Sequence, residues 1–116
     1  MSKSKHSGQL GEQLAADYLK QNGWNILAMN YRHKRAEIDI VASNENILLF
    51  VEVKTRSNMS FGQPEDFVDS RKAERIISAA DHFIREIDWR ARIRFDIISI
   101  DNTAHGKLTH FEDAFY

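Results

Sequence analysis

The chain has 116 residues, 42% of them apolar and 28% charged, with one Pro and no Cys. This length and composition predict a single domain with its own core over residues 1–116, with residues 1–6 flexible, and exclude a largely disordered chain. The absence of Cys excludes disulfides and thiol nucleophiles. No apolar run approaches the roughly 18 residues of a membrane span, and the start is too polar for a signal peptide. We therefore expect a cytoplasmic protein with no membrane partner.

The charge of the chain is balanced, because sixteen Lys and Arg face seventeen Asp and Glu, which gives a net charge of −1. Bulk positive charge therefore does not predict binding to nucleic acid. The basic residues are nevertheless clustered along the chain, and such clusters can contact phosphates locally. The expected nucleic-acid-binding residues are Arg32, Lys34, Arg35, Arg56, Lys72 and Arg75.

The first predicted element is an amphipathic helix over residues 7–21. Its apolar side chains share one broad arc at 100° per residue, with Ser7 as a candidate N-cap. Gly23 stands where a left-handed residue would end the helix. Alternating apolar residues then predict a strand over residues 24–30.

Two runs rich in Ile, Val, Leu and Phe follow, over residues 37–43 and 47–54, separated by a polar turn. They predict a β-hairpin. The second run is apolar at both parities from Ile47 to Val51. Such a strand is covered on both faces, so it should lie at the centre of its sheet with helices on either side.

The rest of the chain predicts a helix over residues 69–87 and strands over residues 93–100 and 107–111. The helix has apolar residues at spacings of three and four, and the strands are bounded by turn residues. The element order is α, β, β, β, α, β, β. We expect an α/β protein with a mixed sheet and a helix on each face.

Charged residues interrupt the apolar pattern at four places, and burying a charge requires a partner or a metal. Glu52 and Lys54 lie two apart on the central strand and therefore share a face. A two-residue turn at Glu45-Asn46 pairs residues whose numbers sum to 91, which places Asp39 opposite Glu52. A longer turn would shift the partner of Asp39 by two residues but would keep Glu37, Asp39, Glu52 and Lys54 on one face.

The helices contribute one charged residue each to the same reasoning. Glu12 points with the apolar arc of the first helix, and Lys72 shares a stripe with Ile76 and Phe83 in the second. Simpler interpretations remain open for both. The helix dipole alone favours a Glu in a first turn, and a Lys can extend its stem along a helix end.

Carboxylates gathered at one point repel one another, so their pKa values rise or a divalent cation neutralises them. Oxygen ligands without Cys favour Mg²⁺ or Mn²⁺. A neighbouring Lys can orient or deprotonate a water or stabilise a pentavalent phosphate. This combination points to hydrolysis of phosphodiester bonds. None of the five His residues shows ligand spacing.

The residues also carry a family likeness. Asp39 followed by Glu52-Val53-Lys54 resembles the core motif of the PD-(D/E)xK nucleases, with Ile38 in the place of the Pro. A fuller pattern resembles the YraN family of small bacterial endonuclease-like proteins over most of the chain: Gly8, Gly11-Glu12, Tyr18-Leu19, Gly23, Asn30-x-Arg32, Glu37-Ile38-Asp39, Phe50 to Arg56, Phe61-Gly62, Lys72 and Arg94-Phe95-Asp96. The chain has Ala36 where the family has Gly.

The resemblance implies a restriction-endonuclease-like fold similar to that of archaeal Holliday junction resolvases. It implies that Glu12, Asp39 and Glu52 hold Mg²⁺ or Mn²⁺ and that Lys54 serves the attacking water. It also implies DNA as the partner, with branched structures the expected substrate, and a homodimer that presents two sites to two strands.

Two alternatives to an endonuclease follow from the same residues. A nucleic-acid-binding module could keep the fold and the metal site yet need a partner for cutting or not cut at all. An RNA-processing or purely structural protein would not depend on the metal or on the charged face. A metal that binds only the folded state would raise the melting temperature and so distinguish the last class.

Overall fold

One five-stranded sheet organises the fold. The computed structural model describes the backbone of residues 2–56, 70–101 and 107–114, and side chains from residue 9 to 55 and in the two later ranges. The helices are α1 (Ser2–Gln21) and α2 (Ser70–Ile87). The strands are β1 (Asn25–His33), β2 (Ala36–Ser43), β3 (Ile47–Arg56), β4 (Arg92–Asp101) and β5 (Lys107–Phe111).

The strands lie in the order β1-β2-β3-β4-β5, so β3 is central as predicted. Only the β3–β4 pair is parallel, and α2 lies between these two strands in the chain. The other neighbours are antiparallel. Each helix covers one face of the sheet, so the predicted α/β class with a flanked mixed sheet is confirmed.

Two apolar clusters explain why β3 is apolar at both parities. Leu49 and Val51 pack with Ala15 and Leu19 of α1 on one face. On the other face Leu48 and Phe50 pack with the α2 side chains Ile76, Ala79 and Phe83. β3 is therefore buried on both sides.

The boundaries of most predicted elements hold within two residues, but β1 ends at His33, three residues beyond the predicted strand over residues 24–30. α1 starts at Ser2 instead of residue 7, because no helix-breaking residue lies between Ser2 and Gly8. Gly23 has a φ of 90° and ends the turn after α1, as predicted. α2 begins at Ser70, and the predicted first residue, Asp69, lies outside the described residues, as does the Phe61-Gly62 motif. No helix among the described residues is long and apolar enough to cross a membrane.

The hairpin register is the predicted one. Asn44 Oδ1 accepts hydrogen bonds from the backbone N–H groups of Asn46 and Ile47, both at 2.8 Å, which closes the two-residue turn. The β2–β3 ladder then runs from the Ser43–Leu48 pair to the Ile40–Val51 pair. Extending this register by one residue brings Asp39 opposite Glu52.

Gly11 sets the distance between α1 and the central strand. A Cβ atom added there would overlap the Oγ1 atom of Thr55 on β3. We expect Gly11→Ala to destabilise the protein by about 1–3 kcal/mol, because overpacking at a rigid contact outweighs the better helix propensity of Ala. The measurement is the urea unfolding midpoint.

Gln9→Ala is the matched control, since Gln9 is exposed on the same helix. Its effect should stay within about 0.5 kcal/mol. Adding Thr55→Ala to Gly11→Ala should recover part of the loss, because it removes the overlapping atom. A Gly11→Ala protein that is more stable than the parent would show that α1 does not pack this closely.

Candidate functional site

The site begins where β2 and β3 separate. Ile38 packs with the α2 cluster and Ile40 with the α1 cluster, although residues two apart on a regular strand share a face. The alternation therefore breaks at Asp39. Beyond the Ile40–Val51 pair, Asp39 Oδ2 accepts a hydrogen bond of 2.8 Å from the backbone N–H of Val53. A side-chain carboxyl thus takes the place of a backbone acceptor on the central strand.

The opposite residue on β1 is distorted as well. Asn30 lies between the Met29–Ile40 and Tyr31–Ile38 pairs, so it faces Asp39, and its φ is 53°. Asn is one of the few residues that adopt this left-handed conformation readily. The two irregular positions together open the sheet at Asp39.

Asp39 and Glu52 form a hydrogen-bonded carboxyl pair. Burial, the charge of Glu52 and the hydrogen bond to Glu52 raise the pKa of Asp39 to about 9. Burial also acts to raise the pKa of Glu52, but hydrogen bonds from Asp39 and Lys72 outweigh it and lower that pKa. Asp39 therefore keeps the proton and uses it to donate a hydrogen bond to the ionised Glu52.

Two ammonium groups converge on Glu52, whose residue is 5% exposed. Lys54 Nζ lies 3.3 Å from Glu52 Oε2, and Lys72 Nζ forms an ion pair with the same oxygen. Burial and the hydrogen bond with Lys72 lower the pKa of Lys54. The contacts with Glu52 and Lys54 raise the pKa of Lys72 against the effect of burial. The two lysines are thus different in character, and Lys54 is the one that releases a proton more easily.

Glu12 reaches the same place from α1. The pKa of Glu12 is raised overall, because burial and the charge of Glu37 outweigh the hydrogen bond with Asn30, which acts to lower it. Glu12 also hydrogen-bonds to Asp39. The structure therefore brings together all four residues predicted to be catalytic: Glu12, Asp39, Glu52 and Lys54.

A cavity of about 670 Å³ opens over the carboxyl pair. Its acidic wall consists of Glu12, Glu37, Asp39 and Glu52. Its basic wall consists of Arg35, Arg71, Lys72 and Arg75. The cavity is therefore divided between groups that attract cations and groups that attract anions.

The predicted nucleic-acid-binding residues divide into three groups. Arg35, Lys72 and Arg75 line the cavity. Arg32 pairs with Glu37 at 3.4 Å and its side chain is 77% exposed, while Lys34 lies exposed in the β1–β2 turn with a φ of 58°. Arg56 ends β3, and its side chain lies outside the described part of the chain.

Sequence reasoning missed two residues of the site. Arg71 lines the cavity and lies in a basic cluster of the sequence, but it was not among the predicted binding residues. Asn30 hydrogen-bonds to Glu12; it stands in the motif Asn30-x-Arg32, and its residue type was the available signal for a left-handed position. Glu37 was predicted to share a face with Asp39 and does line the cavity, although the strand alternation breaks at Asp39.

The chemistry of the donor set, rather than its present geometry, suits a divalent cation. Among the described residues, no three His, Asp or Glu side chains already stand in ligating geometry. Asp39 hydrogen-bonds to both Glu12 and Glu52, and a proton on Asp39 and two lysines at Glu52 compensate the charge. Carboxylate oxygens are ligands for Mg²⁺ and Mn²⁺, and such an ion could replace the proton.

Comparisons with known proteins cover the whole chain. Residues 11–100 match the sequence model of "Uncharacterised protein family UPF0102". The UPF0102 protein of Christiangramia forsetii is 41% identical over 117 residues, which cover 100% of this chain and 98% of that protein. Relatives from Flavobacterium psychrophilum and Bacteroides thetaiotaomicron are 43% and 41% identical, again over 100% of this chain and over 98% and 97% of their own. The similarity therefore includes both walls of the cavity.

Proposed function

We propose that this chain, which belongs to the uncharacterised protein family UPF0102 (the YraN family), is a divalent-metal-dependent endonuclease that hydrolyses phosphodiester bonds in DNA. The observation that carries the proposal is the single cavity in which the hydrogen-bonded Asp39–Glu52 pair faces a wall of basic side chains. Metal-dependent cleavage of a phosphodiester uses both kinds of group. The carboxyl groups would hold the cation, and the basic side chains would attract the phosphate, which is an anion and gains further negative charge during hydrolysis.

Glu12, Asp39 and Glu52 would hold the cation. When bound, Mg²⁺ or Mn²⁺ supplies Lewis-acid neutralisation of charge on the phosphate. The oxygen of a water would attack phosphorus, so that one P–O bond forms and the bond to the leaving oxygen breaks, and the leaving oxygen would take up a proton from solvent. In its neutral amine form, Lys54 would orient the attacking water and accept its proton. Its lowered pKa and the position of its Nζ beside Glu52 suit this role.

The basic wall would hold the phosphate chain. Arg71 and Arg75 are four residues apart on α2, so their guanidinium groups project from neighbouring turns of one helix face. Arg35 lines the same cavity from the β1–β2 turn. A strand of nucleic acid bound by these arginines would pass over the carboxyl pair.

The test of activity uses labelled four-way junction, flap, duplex and single-stranded DNA with Mg²⁺ or Mn²⁺. Asp39→Ala and Glu52→Ala proteins prepared identically serve as controls. Cutting by the parent that both substitutions abolish would establish the endonuclease and rank its substrates. Intact binding of DNA without cutting would instead favour a binding module or an enzyme that needs a partner.

A separate prediction concerns the basic wall. Arg71→Ala combined with Arg75→Ala should weaken DNA binding and lower the slope of log K against log salt by up to ~1.8, because each lost phosphate contact removes about 0.9 from the slope. The measurement is fluorescence anisotropy of labelled DNA at several salt concentrations.

Arg85→Ala is the matched control for that prediction. Arg85 lies on the same helix, its side chain is 79% exposed, and it pairs with Asp81 outside the cavity. Its slope should equal that of the parent. An unchanged slope in the Arg71/Arg75 variant would place the DNA surface elsewhere.

A further inference from the structure

Lys72 stands where a divalent cation would be expected. It lies in the first turn of α2, and its ammonium group forms an ion pair with Glu52 Oε2. Since the Glu52 residue is only 5% exposed, this oxygen has little water to solvate it. The pairing therefore supplies charge compensation that a cation would otherwise supply.

The two lysines on Glu52 differ in how easily they could leave. Lys54 comes from the same strand as Glu52, two residues on, and its side chain is 17% exposed. The side chain of Lys72 is 38% exposed and comes from a helix on the other side of the cavity. A long, half-exposed side chain can change rotamers without disturbing the sheet, so Lys72 is the one that can move.

We propose that Lys72 is the resident counter-cation of the carboxyl site and competes directly with a divalent cation for Glu52. The inference rests on the proposed function in one respect, the use of Glu52 as a metal ligand. Entry of the metal displaces the Lys72 ammonium from Oε2. The metal-free protein is thus held in a self-neutralised state that does not require the ion for folding.

The displaced ammonium remains in the same cavity, on the wall that it shares with Arg71 and Arg75. A bound phosphate would be a new anion within its reach there. Loading of the metal would thus exchange the contact of Lys72 with Glu52 for one with the phosphate, which links occupancy of the metal site to affinity for the substrate.

The test compares Mn²⁺ binding, by electron paramagnetic resonance of free Mn²⁺, to the parent, Lys72→Met and Arg75→Met proteins in the absence of DNA. Arg75→Met is the matched control, because it removes one positive charge from the same wall of the cavity. Direct competition predicts that Lys72→Met binds Mn²⁺ roughly 10-fold more tightly than the parent, within the usual range for coupled sites. The change for Arg75→Met should be markedly smaller.

Thermal unfolding supplies a second readout. Lys72→Met should melt at a lower temperature than the parent in EDTA, because Glu52 loses a partner, and Mn²⁺ should raise its melting temperature more than that of the parent. If Lys72→Met does not fold, Lys72→Gln replaces it, since Gln keeps a polar group on the stem while removing the charge.

The outcomes separate this inference from the proposed function. Equal tightening in Lys72→Met and Arg75→Met would show general electrostatics and overturn the competition, while leaving the endonuclease proposal standing. Failure of all three proteins to bind Mn²⁺ would overturn both. Tighter Mn²⁺ binding by Lys72→Met, together with a parent protein that binds DNA but cuts none of the substrates, would support the competition and favour a binding module or a partner-dependent enzyme over an endonuclease that acts alone.

Discussion

On the proposed endonuclease function, Asp39→Asn should lose DNA cleavage by at least ~100-fold and yet be more stable than the parent when no divalent cation is present. The loss follows because an amide is a poorer cation ligand than a carboxylate. The gain follows because Asn can keep the hydrogen bonds of Asp39 with Val53 and with Glu52 without titrating. Its amide oxygen can accept from the Val53 N–H, and its NH₂ group can donate to Glu52.

The gain in stability should depend on pH in a defined way. The pKa of Asp39 is raised from 3.8 to about 9. At pH below about 4, both the folded and the unfolded chain carry the proton, so Asp39 does not lower the free energy of unfolding. Between pH 4 and pH 9 the unfolded chain releases the proton and the folded chain keeps it, so the parent loses stability as pH rises. The advantage of Asp39→Asn should grow from pH 4 to pH 9 by at most about 1.4 kcal/mol per unit.

Urea unfolding in EDTA at pH 5, 7 and 9 measures this difference. Asp17→Asn is the matched control, because Asp17 is exposed on α1 and lies away from the carboxyl pair. Its stability should lie within about 0.5 kcal/mol of that of the parent. If Asp39→Asn were less stable than the parent at every pH, Asp39 would not carry a proton in its hydrogen bond to Glu52.

The second large effect is expected at Asp96, the buried carboxylate of β4. Asp96 is fully buried and accepts two hydrogen bonds from Arg94, both at 2.9 Å. His110 Nε2 lies 2.7 Å from Oδ2, and the backbone N–H of Asp113 donates to Oδ1 at 2.9 Å. Because Asp96→Ala leaves Arg94 buried without this partner, we expect a loss of about 3–5 kcal/mol.

The role of this network is to fix the last strand. The hydroxyl of Tyr18 on α1 hydrogen-bonds to His110 Nδ1 at 2.9 Å. Hydrogen bonds therefore run without a gap from α1 through His110 of β5 to Asp96 of β4. The Arg94 guanidinium also lies 5.6 Å from the ring of Trp24. Asp96 therefore joins α1 and β5 to β4 through hydrogen bonds, at a place away from the cavity over Glu52.

The pH dependence of this contribution has the opposite sign to that of Asp39. Burial acts to raise the pKa of Asp96, but hydrogen bonds from His110, Arg94 and Asp113 outweigh it and lower that pKa. Its stabilisation is present above the unfolded pKa of about 4 and is lost as pH falls through the folded pKa. The gap between the parent and Asp96→Asn, measured by urea unfolding, should thus narrow in acid.

Asp81→Ala is the control for the Asp96 variants. The Asp81 side chain is 57% exposed and pairs with Arg85 on the same helix. Removing such a surface pair should cost no more than about 0.5 kcal/mol. An Asp96→Ala protein as stable as Asp81→Ala would mean that Asp96 is not the anchor of β4.

Much of the fold could be predicted from local pattern. The run from Ile47 to Val51 is apolar at both parities, and β3 is indeed central and covered on both faces. The short polar turn after Ser43 determined the register, because one pairing satisfies a two-residue turn. The N-terminal limit of α1 could not be predicted, since no residue there stops a helix.

The candidate site was predictable in its residue types but not in its charge states. Asp39, Glu52 and Lys54 could be placed on one face by parity and register alone. The break at Asp39 depends on Asn30 of the neighbouring strand, and the contact of Lys72 with Glu52 depends on how α2 packs on the sheet. Neither relation lies within a window of local sequence.

Local patterns were enough to predict which elements form, which strand is central and which charged residues face one another, because periodicity and turn length act over a few residues. Which carboxyl group holds the proton, and which lysine reaches Glu52 from α2, can be read only from the folded chain. Those outcomes follow from burial and from distances between groups far apart in the chain, since a pKa responds to every charge and hydrogen bond around it. The order of the residues predicts the members of the site, and the packing of the two helices against the opened sheet sets their chemistry.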